Sequence, residues 1–125
     1  MIVEDEGDLS HLYKLYLATL GIDSIIFANA LEALDRYQNS HGRYALAFLD
    51  WDLPFMNGLE LAKRIRKINS EVHILLLTGY YIKDKLLVDE FRGAKIMEVL
   101  LKTVDMSDFG SSVIKLSKES CKGLI

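Results

Sequence analysis

Basic runs, long apolar stretches and paired cysteines are all missing from this 125-residue chain, and each absence removes a class of function. Lys and Arg number 15 against 18 Asp and Glu, for a net charge of -3, and no more than two basic residues stand side by side anywhere. No electrostatic footprint for a nucleic-acid backbone results, so direct nucleic-acid binding is not expected. No apolar stretch is long enough to span a bilayer as a helix, and no signal-peptide pattern occurs, so no membrane association is expected. The single cysteine, Cys121, has no partner for an internal disulfide, which fits a reducing, cytoplasmic setting.

What the chain does have is acid in particular places. Glu4, Asp5 and Glu6 follow the apolar Met1-Ile2-Val3 directly. Asp50 ends a second apolar run, Tyr44 to Leu49, and opens a turn carrying Pro54 and Gly58. A carboxylate at the end of a buried strand is expensive to ionise alone, and several gathered there repel one another unless a cation or proton offsets them. The pattern asks for a metal.

Half the residues are apolar, and the length suits one domain spanning residues 1–125. The chain enters its first strand with no polar lead-in, so that strand is either clipped or part of a domain cut from something longer. Leu9, Leu12, Tyr13, Tyr16, Leu17 and Leu20 recur at three- and four-residue steps and predict a helix, with Asp8 as its cap and Gly21 as its end. A short β run over Asp23–Phe27 follows, and Asn29 with Glu32 resembles a capping box opening a helix toward Gly42. After Asp50 and its turn, Leu61, Ala62, Ile65 and Ile68 lie at helical spacing, with Asn57 and Glu60 near the start. A fourth apolar run, Val72–Leu77, ends at Thr78-Gly79. A helix over Ile82–Phe91, a strand over Lys95–Leu101 and a last helix capped by Asp105 or Ser107 and bearing Phe109, Val113 and Leu116 complete five strands and five helices.

Strands that read as continuous Leu/Ile/Val runs imply burial on both faces, and alternation with helices implies a doubly wound parallel sheet with right-handed crossovers. Ligands of such sheets gather at the carboxyl ends of the strands, which here carry Glu4, Asp5, Asp50, Thr78 and Lys102. Magnesium prefers oxygen ligands, typically one or two carboxylates with water and phosphate oxygens, so Asp5 and Asp50 fit as direct ligands. Glu4 or Glu6 fits either directly or through water, and the backbone carbonyl of Asp52 adds a neutral oxygen. No His or Cys sits at these ends, which argues against zinc or iron. Asp is an established covalent nucleophile for phosphoryl transfer. With Lys102 as a cationic clamp and the Thr78 hydroxyl and Gly79 N–H as donors, the cluster reads as an aspartyl-phosphate site.

Glu4-Asp5-Glu6, Leu49-Asp50-Trp51-Asp52-Leu53-Pro54 through Gly58, Leu77-Thr78-Gly79 and Leu101-Lys102 together resemble the receiver domain of two-component response regulators, across essentially the whole chain. The resemblance implies a CheY-like, flavodoxin-like fold with strand order 2-1-3-4-5. It implies phosphorylation of Asp50 by a histidine kinase or phosphotransfer protein, with Mg2+ held by Glu4, Asp5, Asp50 and the Asp52 carbonyl, and phosphoryl contacts from Thr78 and Lys102. It also implies a signalling switch rather than an enzyme, acting through an output domain or effector protein or a phosphorylation-dependent dimer. Asp52 and Tyr80 fall at positions that the resemblance sets beside the path of hydrolytic water, as tuners of phosphoryl lifetime.

Two positions depart from the family pattern. Thr103 stands where proline usually follows the lysine in a cis peptide, and a cis bond before a non-proline residue costs about 2.5–4 kcal/mol. Val99 stands where Tyr or Phe is common, so output is expected through the Thr78-to-Phe91 segment and the face of the fifth strand. Two other readings stay open: a degenerate receiver that binds partners without phosphorylation, and a small phosphatase, since Asp50-Trp51-Asp52 also looks like the Asp-x-Asp signature of haloacid-dehalogenase-type hydrolases. That family places its signature after the first strand. Trp51 either covers the site rim or meets a partner, and His11, His41 and His73 share no ligand spacing.

Overall fold

The computed structural model describes residues 1–39, 44–79 and 85–101. In chain order these form β1 (Ile2–Val3), α1 (Gly7–Thr19), β2 (Ile26–Phe27), α2 (Ala30–Asn39), β3 (Leu46–Asp50), α3 (Gly58–Ile68), β4 (His73–Thr78), α4 (Lys85–Gly93) and β5 (Ile96–Leu101). All strand pairs are parallel, in the order β2-β1-β3-β4-β5. The expected doubly wound sheet is present. Four helices lie among the described residues, and the expected fifth falls outside them, as do Tyr80, Lys102 and Thr103.

Apolar strands are buried on both faces because successive side chains point to opposite sides of the sheet. Ala47 and Leu49 of β3 join Ile74 and Leu76 of β4 in one cluster with Tyr37 of α2, Ile65 of α3 and Phe91 of α4. Phe48, Leu75 and Leu77 point the other way, onto Tyr13 and Leu17 of α1. The rule fails at β5, where Met97, Glu98 and Val99 are exposed. Among the described residues this strand is the sheet edge, with β4 as its one neighbouring strand.

Local signals set several boundaries. Asn29 Oδ1 accepts from the Glu32 N–H at 2.8 Å, and Asn57 Oδ1 accepts from the Glu60 N–H at 2.9 Å, satisfying first-turn donors of α2 and α3. Helix α1 ends as expected: Gly21 sits at φ +78, and the N–H groups of Gly21 and Ile22 donate to the Ala18 and Leu17 carbonyls. This paired arrangement needs a left-handed residue, which glycine supplies without a Cβ clash. The expected cap at Asp8 is corrected. The capping residue is Glu6, without a side-chain bond, and Asp8 lies in the first turn, where its charge still favours the positive helix end. Leu12 also leaves the predicted apolar stripe, being 48% exposed, because Tyr13 and Leu17 centre the buried face.

Arg66 ties α3 to its neighbours through three backbone carbonyls. Its Nε donates to Ala94 at 2.8 Å and its terminal nitrogens donate to Val72 and to Lys95. The bonded carbonyls lie just ahead of β4 and just ahead of β5, so one planar donor fork ties together the entries to both strands.

Candidate functional site

Register brings the acids together. Val3 pairs with Leu49, so Glu4 follows β1 at the level where Asp50 ends β3. Asp50 pairs with Leu77, and Thr78 pairs with Leu101. The ends of β1, β3, β4 and β5 therefore lie side by side. Glu4, Asp50 and Thr78 are buried, at 1%, 0% and 1% exposure, whereas Asp5 is exposed at the mouth of the site. Carboxylate oxygens of Glu4, Asp5 and Asp50 all lie within 4.8 Å of one another.

Three buried or rim carboxylates this close repel one another in water-poor surroundings, and a divalent cation is the simplest compensation. The donor set is all oxygen, which suits magnesium and not a soft metal. Glu6 is exposed and points its N–H at Glu4 Oε1 over 3.2 Å, so it supports Glu4 through its backbone. The Asp52 N–H reaches Asp50 Oδ1 at a long 3.4 Å, and the Asp52 side chain is exposed. His11 is an exposed helix residue whose Nδ1 lies 2.8 Å from the Gly7 carbonyl, and His73 starts β4, so neither joins the site.

The turn after Asp50 is built by close approach. The Trp51 N–H donates to Leu77 at 2.8 Å, and its carbonyl accepts from the Gly58 N–H at 3.1 Å. A Cβ on Gly58 would lie 2.5 Å from the Asp50 carbonyl oxygen and 2.9 Å from Leu76 Cδ2. The start of α3 thus rests against the backbone of Asp50 itself. Asn57 and Gly58 lie at the turn and helix start that their residue types predict, but steric exclusion at Gly58 has no signal in the sequence.

Phe55 is the strained member of this turn. It has φ +76 and is 75% exposed, and the Met56 N–H donates to the Pro54 carbonyl at 3.0 Å, closing a γ-turn over Phe55. A bulky residue in the left-handed region is costly, and Asn tolerates it better. Phe55→Asn is expected to raise stability by about 0.5–1 kcal/mol, read as a higher urea midpoint at unchanged slope. Trp51 resolves toward the interior: half-buried, its ring meets Phe91 edge-on, with centroids 5.8 Å apart and planes at 89°.

A five-stranded parallel α/β domain with clustered acids at the strand ends defines a class of proteins whose chemistry sits at those ends. Residues 1–114 match the family model of the response regulator receiver domain, and the chain belongs to that family. A response regulator protein TrrA from Thermotoga maritima, solved in complex with Mg(2+)-BeF, is 30% identical with a TM-score of 0.77, over 92% of this chain and 95% of that one. A CheY-like receiver domain protein from Methanospirillum hungatei JF-1 superposes with a TM-score of 0.87 at 25% identity, over 98% of this chain and 94% of its own. The uncharacterized transcriptional regulatory protein YkoG of Bacillus subtilis is 38% identical over 79 residues, 63% of this chain and 34% of that protein. Two-component response regulator 24 of Arabidopsis thaliana is 35% identical over 78 residues, 62% of this chain and 55% of that protein. The chain therefore spans about a third to about a half of the length of these curated relatives.

Asp50-Trp51-Asp52 follows the third strand, not the first, which separates it from the haloacid-dehalogenase arrangement considered above.

Proposed function

We propose that Asp50 is the phosphoacceptor of a two-component signalling switch. The observation that carries this reading is the fully buried Asp50 carboxylate with Glu4 and Asp5 oxygens within 4.8 Å, at the strand end of a receiver-family chain. An ionised Asp50 oxygen attacks phosphorus of a phosphohistidine on a histidine kinase or phosphotransfer protein. The new O–P bond forms as the P–N bond breaks, and the departing imidazole takes a proton from water.

Glu4, Asp5 and Asp50, with the Asp52 carbonyl, would hold Mg2+, which supplies positive charge against the phosphoryl oxygens. Thr78 offers a hydroxyl from the end of β4, and Gly79, an exposed residue, its backbone N–H. Lys102 is assigned the role of cationic clamp. Asp52 and Tyr80 are assigned control of phosphoryl lifetime. The phosphorylated and free forms differ in their affinity for an output domain, an effector or a second copy, and no substrate turns over in the ordinary sense. Among the described residues no helix is long and apolar enough to cross a membrane, and a cytoplasmic setting is part of the proposal.

Incubation with acetyl phosphate and Mg2+ followed by intact mass tests this. A phosphoryl adduct that Asp50→Ala abolishes is the expected result. Sustained turnover of acetyl phosphate without an adduct would instead indicate an enzyme, and no adduct a partner-binding domain that works without phosphorylation. Mg2+ alone at ten times its dissociation constant is expected to stabilise the fold by about 1.4 kcal/mol, and Asp5→Asn to remove most of that gain in thermal denaturation.

A further inference from the structure

Three described contacts bear on helix α4 and its end, and one of them leads back to the acceptor. Lys63 Nζ of α3 meets Glu90 Oε1 at 3.5 Å, with both side chains about half exposed, and such a pair holds weakly. Arg66 fixes the carbonyl of Ala94, one residue beyond the helix. Phe91 is different: it is 7% exposed and its ring meets the edge-on indole of Trp51, the residue after Asp50.

Trp51 is anchored by backbone at three places that a phosphoryl group would disturb. It is bonded covalently to Asp50, its N–H holds the Leu77 carbonyl one residue before Thr78, and its carbonyl holds the first N–H of α3. Asp50 and Thr78 are both buried, so added phosphoryl oxygens require the ends of β3 and β4 to adjust. An indole rooted between those ends moves with them. Aromatic pairs prefer edge-to-face or offset-stacked geometry to a face-to-face sandwich, so a rotated indole alters its contact with Phe91. Val99 of β5, 36% exposed, carries a short branched side chain that has no ring to move in or out.

We infer that the Trp51–Phe91 edge-to-face contact transmits the state of Asp50 to α4. This rests on the phosphoacceptor reading of Asp50, and it makes Trp51 and Phe91 positioning residues, outside the phosphoryl chemistry.

The test uses the full chain, beryllofluoride with Mg2+ as the probe, and hydrogen exchange of the α4 amides. Emission of Trp51, the one tryptophan, reports loading at its own ring. Loading the parent protein is expected to change α4 exchange by about five-fold or more. Phe91→Leu keeps apolar volume but no ring: it should still form the acetyl phosphate adduct on Asp50, while the α4 response falls by more than half. Phe91→Tyr restores the ring and should restore the response. Trp51→Leu, read by exchange alone, should lose it as Phe91→Leu does, and serves where Phe91→Leu fails to fold. An α4 response in these leucine variants equal to that of the parent overturns the inference and leaves the phosphoacceptor reading standing. Absence of any adduct on the parent protein overturns both, and intact mass tells the two failures apart.

Discussion

Gly58→Ala is expected to destabilise the chain by about 3 kcal/mol and to weaken Mg2+ binding in whatever fraction remains folded. The added Cβ would stand 2.5 Å from the Asp50 carbonyl oxygen, closer than real side chains come to backbone. Neither side has room to give. The oxygen belongs to β3, whose register is fixed against both β1 and β4, and the second contact is with Leu76, which is fully buried. The remaining option is for α3 to lift away. That would break the bond from the Gly58 N–H to Trp51 and withdraw Leu59, Leu61, Ala62 and Ile65 from the core. Loss of those contacts accounts for the size of the effect. Because the backbone that would move is that of Asp50, metal affinity should fall together with stability. The measurement is chemical denaturation with and without Mg2+. A variant within 1 kcal/mol of the parent would show that the approach at Gly58 is looser than described.

The acidic cluster could be assembled from sequence because it follows from two simple facts. Each acid ends an apolar run, and parallel strands end on the same side. Asn29 and Asn57 mark helix starts through a bond to a nearby N–H, and Gly21 marks a helix end through a conformation that suits it. These signals are local, so a linear reading finds them. Asp8 is the better capping residue by type, yet the path of the chain leaving β1 starts the helix at Gly7, just after Glu6. Exposure along β5 went unforeseen because an edge strand and a central strand share the same apolar composition. The Trp51–Phe91 contact spans 40 positions and depends on how α4 lies over the sheet, so nothing in either segment announces it. Glu4 and Asp5 divide the site between interior and mouth, a distinction set by the path of the chain as it leaves β1 and not by composition.

In a polypeptide that begins with the free amino group of Met1, that group should raise stability by about 3 kcal/mol between pH 5 and pH 8. That group donates to the Leu46 carbonyl at 2.8 Å, and burial pulls its pKa down from 8.0 to about 5. A depressed amine pKa means that the unfolded chain binds this proton more tightly than the folded one. Throughout that window the unfolded state carries the extra proton, so folding becomes more favourable as the pH rises. Well above pH 8 the amine is neutral in both states and costs nothing; well below pH 5 it is charged in both, and the full cost of burying that charge is present. The slope should approach 1.4 kcal/mol per unit in mid-window, about the value for one proton. Denaturation midpoints across this range measure it. Acetylating the amine, or adding residues ahead of Met1, removes the titrating group and should flatten the profile by that amount. An unchanged slope after acetylation would move the cause elsewhere. The carboxylate cluster offers a separate check, since Mg2+ should raise stability at each pH while leaving the amine's contribution to the slope in place.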